Sequence, residues 1–390
     1  MEPVTHLLYG ACLSRSGFNR LSALATPVMV VAAEIPDLDI VTSLGGPVYG
    51  FQHHRGATHT LLGVPFDAAA AVLIVFSIHR LRSARGDRAR PTRPGPNWAA
   101  LYGLACIAAL SHILLDFTNS YGVRPLMPFS YRWHHWDIVS IVDPVMLGLL
   151  ILALVLPSLF GLIQEEIGSR RRGPRGRAAA LAALILIAAL WAVRDFEHRR
   201  ALGALDAREY GSELPRRISA YATPLNIFSW NGVVETDTAY HVVPVDSLSP
   251  EVDPRRQERV FYRPAETPVL AAARQSYLGK VFLDWADYPV FEVRPAVPGE
   301  ELEELSGIRA GTRLALASFS ALQPADALQP PNTGYMVRMF DLRYFDPESI
   351  EPGRRRILGG TVQLDRSLHP VAYSMPSFFG RAVQRARGGG

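Results

Sequence analysis

Hydrophobic positions in the first half of the chain form long stretches, separated by short polar clusters and arginine-rich islands. A helix needs about 20 mostly apolar residues to cross a bilayer. A short early pair of stretches predicts a helical hairpin, and four later stretches come close to spanning length. The pair lies at roughly 4–14 and 21–35, and the later stretches at roughly 61–79, 97–115, 138–162 and 178–194. The pattern predicts an α-helical integral membrane domain with about five to six membrane-embedded helices.

The pattern changes after about residue 195, where the composition becomes that of an ordinary soluble protein. Short alternating stretches from Asn226 onward predict strands, interrupted by one helix. The predicted strands are 227–236, 239–245, 289–294, 335–345 and 357–365, and the helix is at about 266–285. The predicted domains are a helical membrane domain at 1–195, a helical linker at 196–225, a soluble β-rich α+β domain at 226–380 and a disordered tail at 381–390.

Positive charge is carried by arginine, with Lys280 as the single lysine. A net charge of +4 raises the question of a nucleic-acid partner. The arginines cluster, however, in two loops at 80–96 and 163–177, which lie between apolar stretches. The positive-inside rule makes both loops cytoplasmic. We therefore expect a lipid bilayer as partner and no nucleic acid, with the C-terminal domain extracytoplasmic.

Two polar motifs follow the predicted hairpin. Pro36 ends the apolar stretch, and Asp37 and Asp39 offer two carboxylates separated by one residue. The motif His-Arg-Gly-Ala-Thr-His then runs from His54 to His59, with a glycine turn that lets two imidazoles converge. The alternatives are a solvated loop at a helix end for the first motif and polar anchors at the membrane interface for the second.

Two further polar positions flank the later apolar stretches. His112 and Asp116 are four residues apart, so a helix places them on one face. They supply two metal ligands, or alternatively a hydrogen-bonded pair or a pair that supports a ligand. Asp137 precedes the next stretch and Asp143 lies inside its start, where an unpaired charge costs about 2–3 kcal/mol.

The predicted topology brings these clusters to one outer face of the membrane. The residues that share this face are His6, Asp37, Asp39, His54, His59, His112, Asp116, Asp137 and Asp143. Neither Cys12 nor Cys106 has a CxxC partner, so the donors on offer are imidazole and carboxylate. The convergence predicts a site for one or two divalent metal ions.

The ordered motifs resemble the YdjM-like family of inner-membrane proteins, to which metal-dependent hydrolase activity is attributed. The resemblance covers about residues 1–195 and includes the start Thr5-His6-Leu7-Leu8, Pro-Asp-x-Asp, His-Arg-Gly-x-Thr-His, His-x-x-x-Asp and a late Asp-Pro. It implies a location in a bacterial-type inner (plasma) membrane, and it implies that seven residues occupy the family's polar positions. These are His6, Asp37, Asp39, His54, His59, His112 and Asp116.

The leading hypothesis is a membrane-bound metal-dependent hydrolase that uses zinc or another divalent ion to activate water. Asp143 or Asp137 would act as general base, and Arg55 would hold an anionic substrate. The expected substrate is a phosphoester or a lipid-linked compound, because such a molecule reaches a site at membrane depth. The sequence does not identify a protein partner.

Two alternatives belong to other classes. Acidic and histidine residues at helix ends also line ion paths, which would make the protein an ion or metal transport protein. The metal would otherwise be structural, in a non-catalytic membrane scaffold whose soluble domain binds a partner. A coordination shell without an open position would favour that third hypothesis.

Overall fold

The computed structural model describes residues 1–85, 96–166, 176–249, 251–296, 334–345, 358–377 and 380–386 of the 390-residue chain. The chain forms two compact units, which we call the helical unit and the sheet unit. The helical unit comprises Met1–Asp39, Arg55–Arg199 and Tyr221–Phe228, and the sheet unit comprises Ile40–His54, Arg200–Ala220 and Ser229–Gly390. The middle of each arginine-rich loop and the last residues of the predicted disordered tail lie outside the described residues.

The α-helices of the first half follow the apolar stretches. They are α1 (Pro3–Arg15), α2 (Ala25–Ala32), α3 (Pro47–His53), α4 (Val64–Ala84), α5 (Trp98–Phe117), α6 (Pro144–Glu166) and α7 (Arg177–Asp206). Within the described residues, α4, α5 and α7 are long and apolar enough to cross a membrane, and Pro144–Pro157 of α6 is a shorter apolar helix. The helical region thus holds three candidate spans, and the larger count of about five to six embedded helices stays a prediction.

Small residues let these helices approach closely. Ala32 of α2, Ala68 of α4 and Ala105 of α5 are fully buried in one cluster that joins the three helices. On α1, a Cβ added at Gly10 would lie 2.9 Å from the Cβ of Ala33, so glycine is needed where α1 crosses the end of α2. Close packing of backbones is a main source of helix association in a bilayer, where apolar surface gives little drive.

The second half is rich in sheet. Its strands are β1 (Arg217–Ala222), β2 (Ser229–Glu235), β3 (Ala239–Asp246), β4 (Glu251–Val252), β5 (Arg259–Tyr262), β6 (Pro289–Pro295), β7 (Tyr335–Asp341), β8 (Gly359–Leu364), β9 (Pro370–Ser377) and β10 (Gly380–Arg385). The described strands form two five-stranded sheets, one in the order β1-β2-β3-β4 with β5 also pairing β3, the other β10-β9-β8-β7-β6. Each predicted strand overlaps an observed one. The helix predicted at about 266–285 is two helices, α8 (Pro268–Gln275) and α9 (Tyr277–Trp285), because Ser276 caps α9.

One stretch of the first half belongs to the sheet unit. The segment 40–54 carries α3, which packs on β9, β10 and α9. Phe51 meets Trp285 edge-on at 5.2 Å between ring centroids, and the Tyr277 hydroxyl donates to Gln52 Oε1 at 2.6 Å. The predicted topology assigns His54 of this stretch to the outer face, and no local sequence pattern indicates the packing of α3.

Candidate metal centre

Four side chains of the helical unit bring one ligand atom each to within 4.8 Å of one another. They are Asp37, His59, His112 and Asp116. The side chains of His59, His112 and Asp116 are fully buried, whereas Asp37 keeps 15% of its side-chain surface exposed. Asp37 therefore marks the side from which solvent reaches the group.

Five of the six distances among the four ligand atoms are close to the edges of a small tetrahedron. His59 Nε2 lies 3.1 Å from His112 Nε2, 3.3 Å from Asp116 Oδ2 and 3.4 Å from Asp37 Oδ1. His112 Nε2 lies 3.4 Å from Asp116 Oδ2 and 3.6 Å from Asp37 Oδ1. Zinc bonds of about 2.0–2.1 Å in tetrahedral geometry put ligand atoms about 3.3 Å apart. The group has the size and donor set for such an ion.

Local structure explains how each side chain reaches the centre. Asp37 lies in the first turn of a 3-10 segment, Ile35–Gly45, which follows α2. His59 ends a short 3-10 turn, Ala57–His59. His112 and Asp116 lie one turn apart near the C-terminal end of α5. The partial negative charge of a helix C-terminus also favours a cation there.

Hydrogen bonds at the far ring nitrogens turn both imidazoles toward the centre. His112 Nδ1 donates to the Ala33 carbonyl oxygen at 2.7 Å, which leaves the Nε2 lone pair for a metal. His59 Nδ1 lies 3.1 Å from Thr58 Oγ1 and 3.5 Å from Asp39 Oδ2. A polar partner behind the ring fixes the tautomer and raises the basicity of the coordinating nitrogen.

Arg55 is tied to Asp116. Its guanidinium is buried and donates to Asp116 Oδ1 at 2.7 Å and to the Gly122 carbonyl oxygen at 2.9 Å. It also lies over the Tyr121 ring, 4.6 Å from the centroid. The Met1 amino group contacts the same oxygen of Asp116. A substrate-binding role for Arg55, expected from the sequence, stays a prediction. The contacts of Arg55 favour a role in orienting Asp116.

His6 adjoins the group without belonging to it. Its ring stacks on that of His112 with centroids 3.7 Å apart, and its Nε2 lies 3.4 Å from Asp116 Oδ1. His6 is fully buried, and neither ring nitrogen has a hydrogen-bond partner within the described residues. Its predicted role as a ligand remains untested, and it is the nearest imidazole to the oxygen of Asp116 that faces away from the four-atom group.

Two other predicted ligands lie outside the four-atom group. Asp39 stands behind His59, where its Oδ2 accepts from the backbone N–H of Arg55 at 2.6 Å. Arg55 has a φ of 52°, a conformation that this bond helps to hold. His54 follows the last residue of α3, in the segment assigned to the sheet unit. We therefore expect a positioning role for Asp39 and leave metal binding by His54 as a prediction.

The two predicted general bases differ in their contacts. Asp143 is fully buried, caps α6 by accepting from the backbone N–H of Met146 at 2.9 Å, and pairs with Arg194 at 2.9 Å. Asp137 accepts from His135 Nδ1 at 2.8 Å and has a φ of 64°. The contacts of Asp143 favour a structural role, whereas Asp137 forms a dyad with a partly exposed histidine.

A further carboxyl group lies near Asp37. Glu34, outside the three candidate spans, follows α2 and is half-buried. Burial, and then the charge of Asp37, raises the pKa of Glu34 to about 8. Glu34 is therefore mostly protonated at pH 7 and adds little negative charge beside the four-atom group.

Sequence reasoning missed several groups that support the site. Asn119, Tyr121 and Gly122 hold Arg55 from the turn after Asp116, and the Ala33 carbonyl orients His112. The turn-rich composition of 117–122 indicates a loop but not its contacts. A backbone carbonyl acceptor leaves no mark in a sequence at all.

One of the comparisons with known proteins matches the first half of the chain, which contains the four-atom group. The model of the family described as "YdjM inner membrane protein" matches residues 1–201, and so includes all four ligand candidates. A similar curated protein is the uncharacterized protein YfhP of Bacillus subtilis (strain 168), 25% identical over 154 residues. That match covers 37% of this chain and 42% of YfhP, so the chain spans less than half the length of that relative. No solved structure matches the chain.

Proposed function

The chain belongs to the YdjM inner membrane protein family, and we propose that it is a membrane-bound metal-dependent hydrolase. Its ion would be held by Asp37, His59, His112 and Asp116. The observation that carries the proposal is that five of the six ligand-atom distances among these four side chains are 3.1–3.6 Å, and that all four atoms lie within 4.8 Å of one another.

The donor set points to a borderline divalent ion. Two imidazoles and two carboxylates suit zinc, and two carboxylates neutralise a doubly charged ion in a buried site. Buried charges are tolerated when they are paired or coordinate a metal. Zinc is therefore the first ion to test.

The chain's own residues would divide the remaining work. A divalent ion here would supply Lewis acidity and acidify water. Arg55 and Asn119 orient Asp116, and Asp39 stands behind His59. Asp137, paired with His135, is our candidate for the proton-accepting group.

The proposed substrate is a phosphoester or a lipid-linked compound. Support comes from the membrane environment, since His112 and Asp116 lie on α5, a candidate span. A lipid reaches such depth more readily than a soluble metabolite. The placement of the site and of the C-terminal region on the outer face, inferred from the arginine loops, remains part of the proposal.

The test begins with metal content. Elemental analysis of the detergent-purified protein should find a stoichiometric divalent ion, absent from His59→Ala and Asp116→Ala. His369→Ala, at a histidine whose side chain is 78% exposed, is the matched control and should keep the ion. Hydrolysis of phosphoester and phospholipid substrates should then follow the metal content, and a folded wild type without metal contradicts the proposal.

A structural metal is the alternative that one observation favours. Four protein ligands from one chain are typical of structural zinc sites, whereas catalytic sites keep a position open. In that case chelation would unfold the helical unit, and no substrate would be turned over by metal-loaded protein. A hydrolase would instead lose activity on chelation while keeping its helical content.

A further inference from the structure

The sheet unit contains a cavity of about 470 Å³ that the proposed metal chemistry does not use. Gly45, Tyr49, Tyr277, Tyr373 and Gln384 line it. These residues come from the segment 40–54, from the start of α9 and from the β9–β10 hairpin. The volume is within the usual range for small-molecule sites, about 300–1,000 Å³.

Protein contacts hold the aromatic rings of the cavity in place. The rings of Tyr277 and Tyr373 meet edge-on with centroids 6.4 Å apart, and the Tyr277 hydroxyl donates to Gln52 Oε1 at 2.6 Å. The ring of Tyr49 lies 4.0 Å from that of His53. Rings that are already positioned lose little entropy when a ligand binds, which favours affinity.

Gln384 supplies the polar group of the cavity. Its Oε1 is buried and has no hydrogen-bond partner among the residues that the structure describes. A Cβ at Gly46, where φ is 111°, would lie 2.5 Å from this oxygen, so glycine leaves room for the amide. A buried acceptor without a partner costs about 1–3 kcal/mol, so a rotation of the Gln384 amide that lets this oxygen accept from a ligand in the cavity removes that cost.

The chemistry of the lining selects among ligands. None of the five lining residues carries a charge. Aromatic rings accept the apolar face of a ligand, and a primary amide both donates and accepts hydrogen bonds. A sugar ring combines an apolar face with hydroxyl groups that donate and accept, whereas an ammonium group only donates.

We propose that this cavity is a carbohydrate-binding site for one or two rings of a neutral glycan, either free or as a lipid headgroup. Tyr49, Tyr277 and Tyr373 contact the ring faces, and the Gln384 amide bonds a hydroxyl. This function is separate from the proposed hydrolase, and it holds whether or not the metal centre is catalytic.

The test uses the full-length protein in a polyoxyethylene detergent, because a maltoside detergent would itself present sugar. Binding is measured on a printed array of neutral glycans, and the strongest one is titrated calorimetrically. We expect Tyr49→Ala and Gln384→Leu to weaken binding about tenfold or more, which corresponds to about 1.4 kcal/mol. Tyr262→Ala, at a tyrosine that is 66% exposed in the same unit, should bind like wild type.

The outcomes separate the proposal from its rivals. No glycan bound above the level of the Tyr49→Ala variant overturns it, as does equal weakening by Tyr262→Ala. Tighter binding of tetramethylammonium than of any glycan replaces the carbohydrate with a cation. Tighter binding of detergent micelles that contain diglucosyl diacylglycerol than of the soluble diglucoside supports a lipid headgroup, and the reverse order supports a free glycan. The circular dichroism spectrum and the thermal unfolding curve should match wild type in every variant, which shows that the chain is folded.

Discussion

The helical unit contains two buried arrangements of polar side chains, which differ in how their charges are paired. Asp143 and Arg194 are both fully buried, and their opposite charges meet at 2.9 Å. Asp143 also caps α6, and Arg194 also donates to the Ile138 carbonyl oxygen. In the four-atom group, two carboxylate oxygens and two imidazole nitrogens face one another instead. The first arrangement pairs opposite charges within the protein, whereas the second would gain its opposite charge from a cation under the proposed function. Burial of charge alone therefore does not identify a site, and the balance of partners does.

The largest expected effect comes from breaking the buried ion pair of Asp143 and Arg194. Arg194→Ala leaves the Asp143 carboxylate buried without its cation, which should cost about 3–5 kcal/mol in the free energy of unfolding. Thermal unfolding of the detergent-solubilised protein measures it. The double variant Asp143→Asn, Arg194→Met should recover most of the loss, because asparagine still caps α6. Loss of metal from the folded double variant would contradict a purely structural role for the pair.

Changing one carboxylate of the four-atom group should give opposite signs with and without metal. Asp37→Asn should weaken metal binding about 100-fold or more, since it removes a direct ligand. In the presence of chelator the same change should leave the free energy of unfolding unchanged or raise it by up to about 1 kcal/mol, because Asp37 then lies among other acidic groups. Competition with a chromophoric chelator gives the affinity, and thermal unfolding gives the stability.

Asp206→Asn is the matched control for this change. Asp206 is exposed at the end of α7, so the substitution should alter neither quantity. Wild-type metal affinity in Asp37→Asn would remove Asp37 from the ligand set and leave three protein ligands, as in a catalytic zinc site.

The contrast also shows which parts of the site a sequence can predict. Asp37, His59, His112 and Asp116 were all named from motifs, because imidazole and carboxylate at the end of an apolar stretch are conspicuous. Asp39 and His54 offer the same ligand types and belong to the same motifs as Asp37 and His59. The fold nevertheless places Asp39 and His54 outside the four-atom group. Spacing gives candidates, and only the path of the chain decides which atoms meet.

The fold shows a similar division. Apolar length predicted the helices well, since a spanning helix is a property of consecutive residues. The packing of the segment 40–54 on β9 and α9 depends on residues more than 200 positions away, for example Gln52 and Tyr277 with a separation of 225. No local pattern encodes such a contact. The strands β9 and β10 were missed for a related reason, because pairing partners stabilise them more than their own propensity.

A smaller effect is expected from Arg55, a buried cation that pairs with Asp116 of the four-atom group. Its guanidinium neutralises one oxygen of Asp116, so that the other oxygen faces the metal position. Arg55→Lys keeps the charge but loses the fork that also bonds the Gly122 carbonyl, and metal affinity should fall about tenfold. Calorimetric zinc titration of the apo protein tests this. Arg216→Lys, at an exposed arginine of the sheet unit, should have no effect.

The smallest expected effect concerns Glu258, a partly exposed residue of the sheet unit with two charged or polar partners. Glu258 accepts from His241 Nδ1 at 2.6 Å and from Arg208 at 2.8 Å, and these contacts, the histidine first, lower its pKa below the ordinary value of 4.5. A lowered folded pKa means that the stabilisation is fully present above about pH 4.5 and is lost as the pH falls through the folded value. Glu258→Gln should therefore cost about 1 kcal/mol near pH 7, a modest figure because part of the side chain remains in solvent. The difference from wild type should shrink on acidification, as followed by thermal unfolding of the full-length protein at several pH values.

The control is Glu251→Gln, at an exposed position of the sheet that contains His241, and it should show no such trend. A constant difference at all pH values would mean that packing, rather than charge, sets the contribution of Glu258.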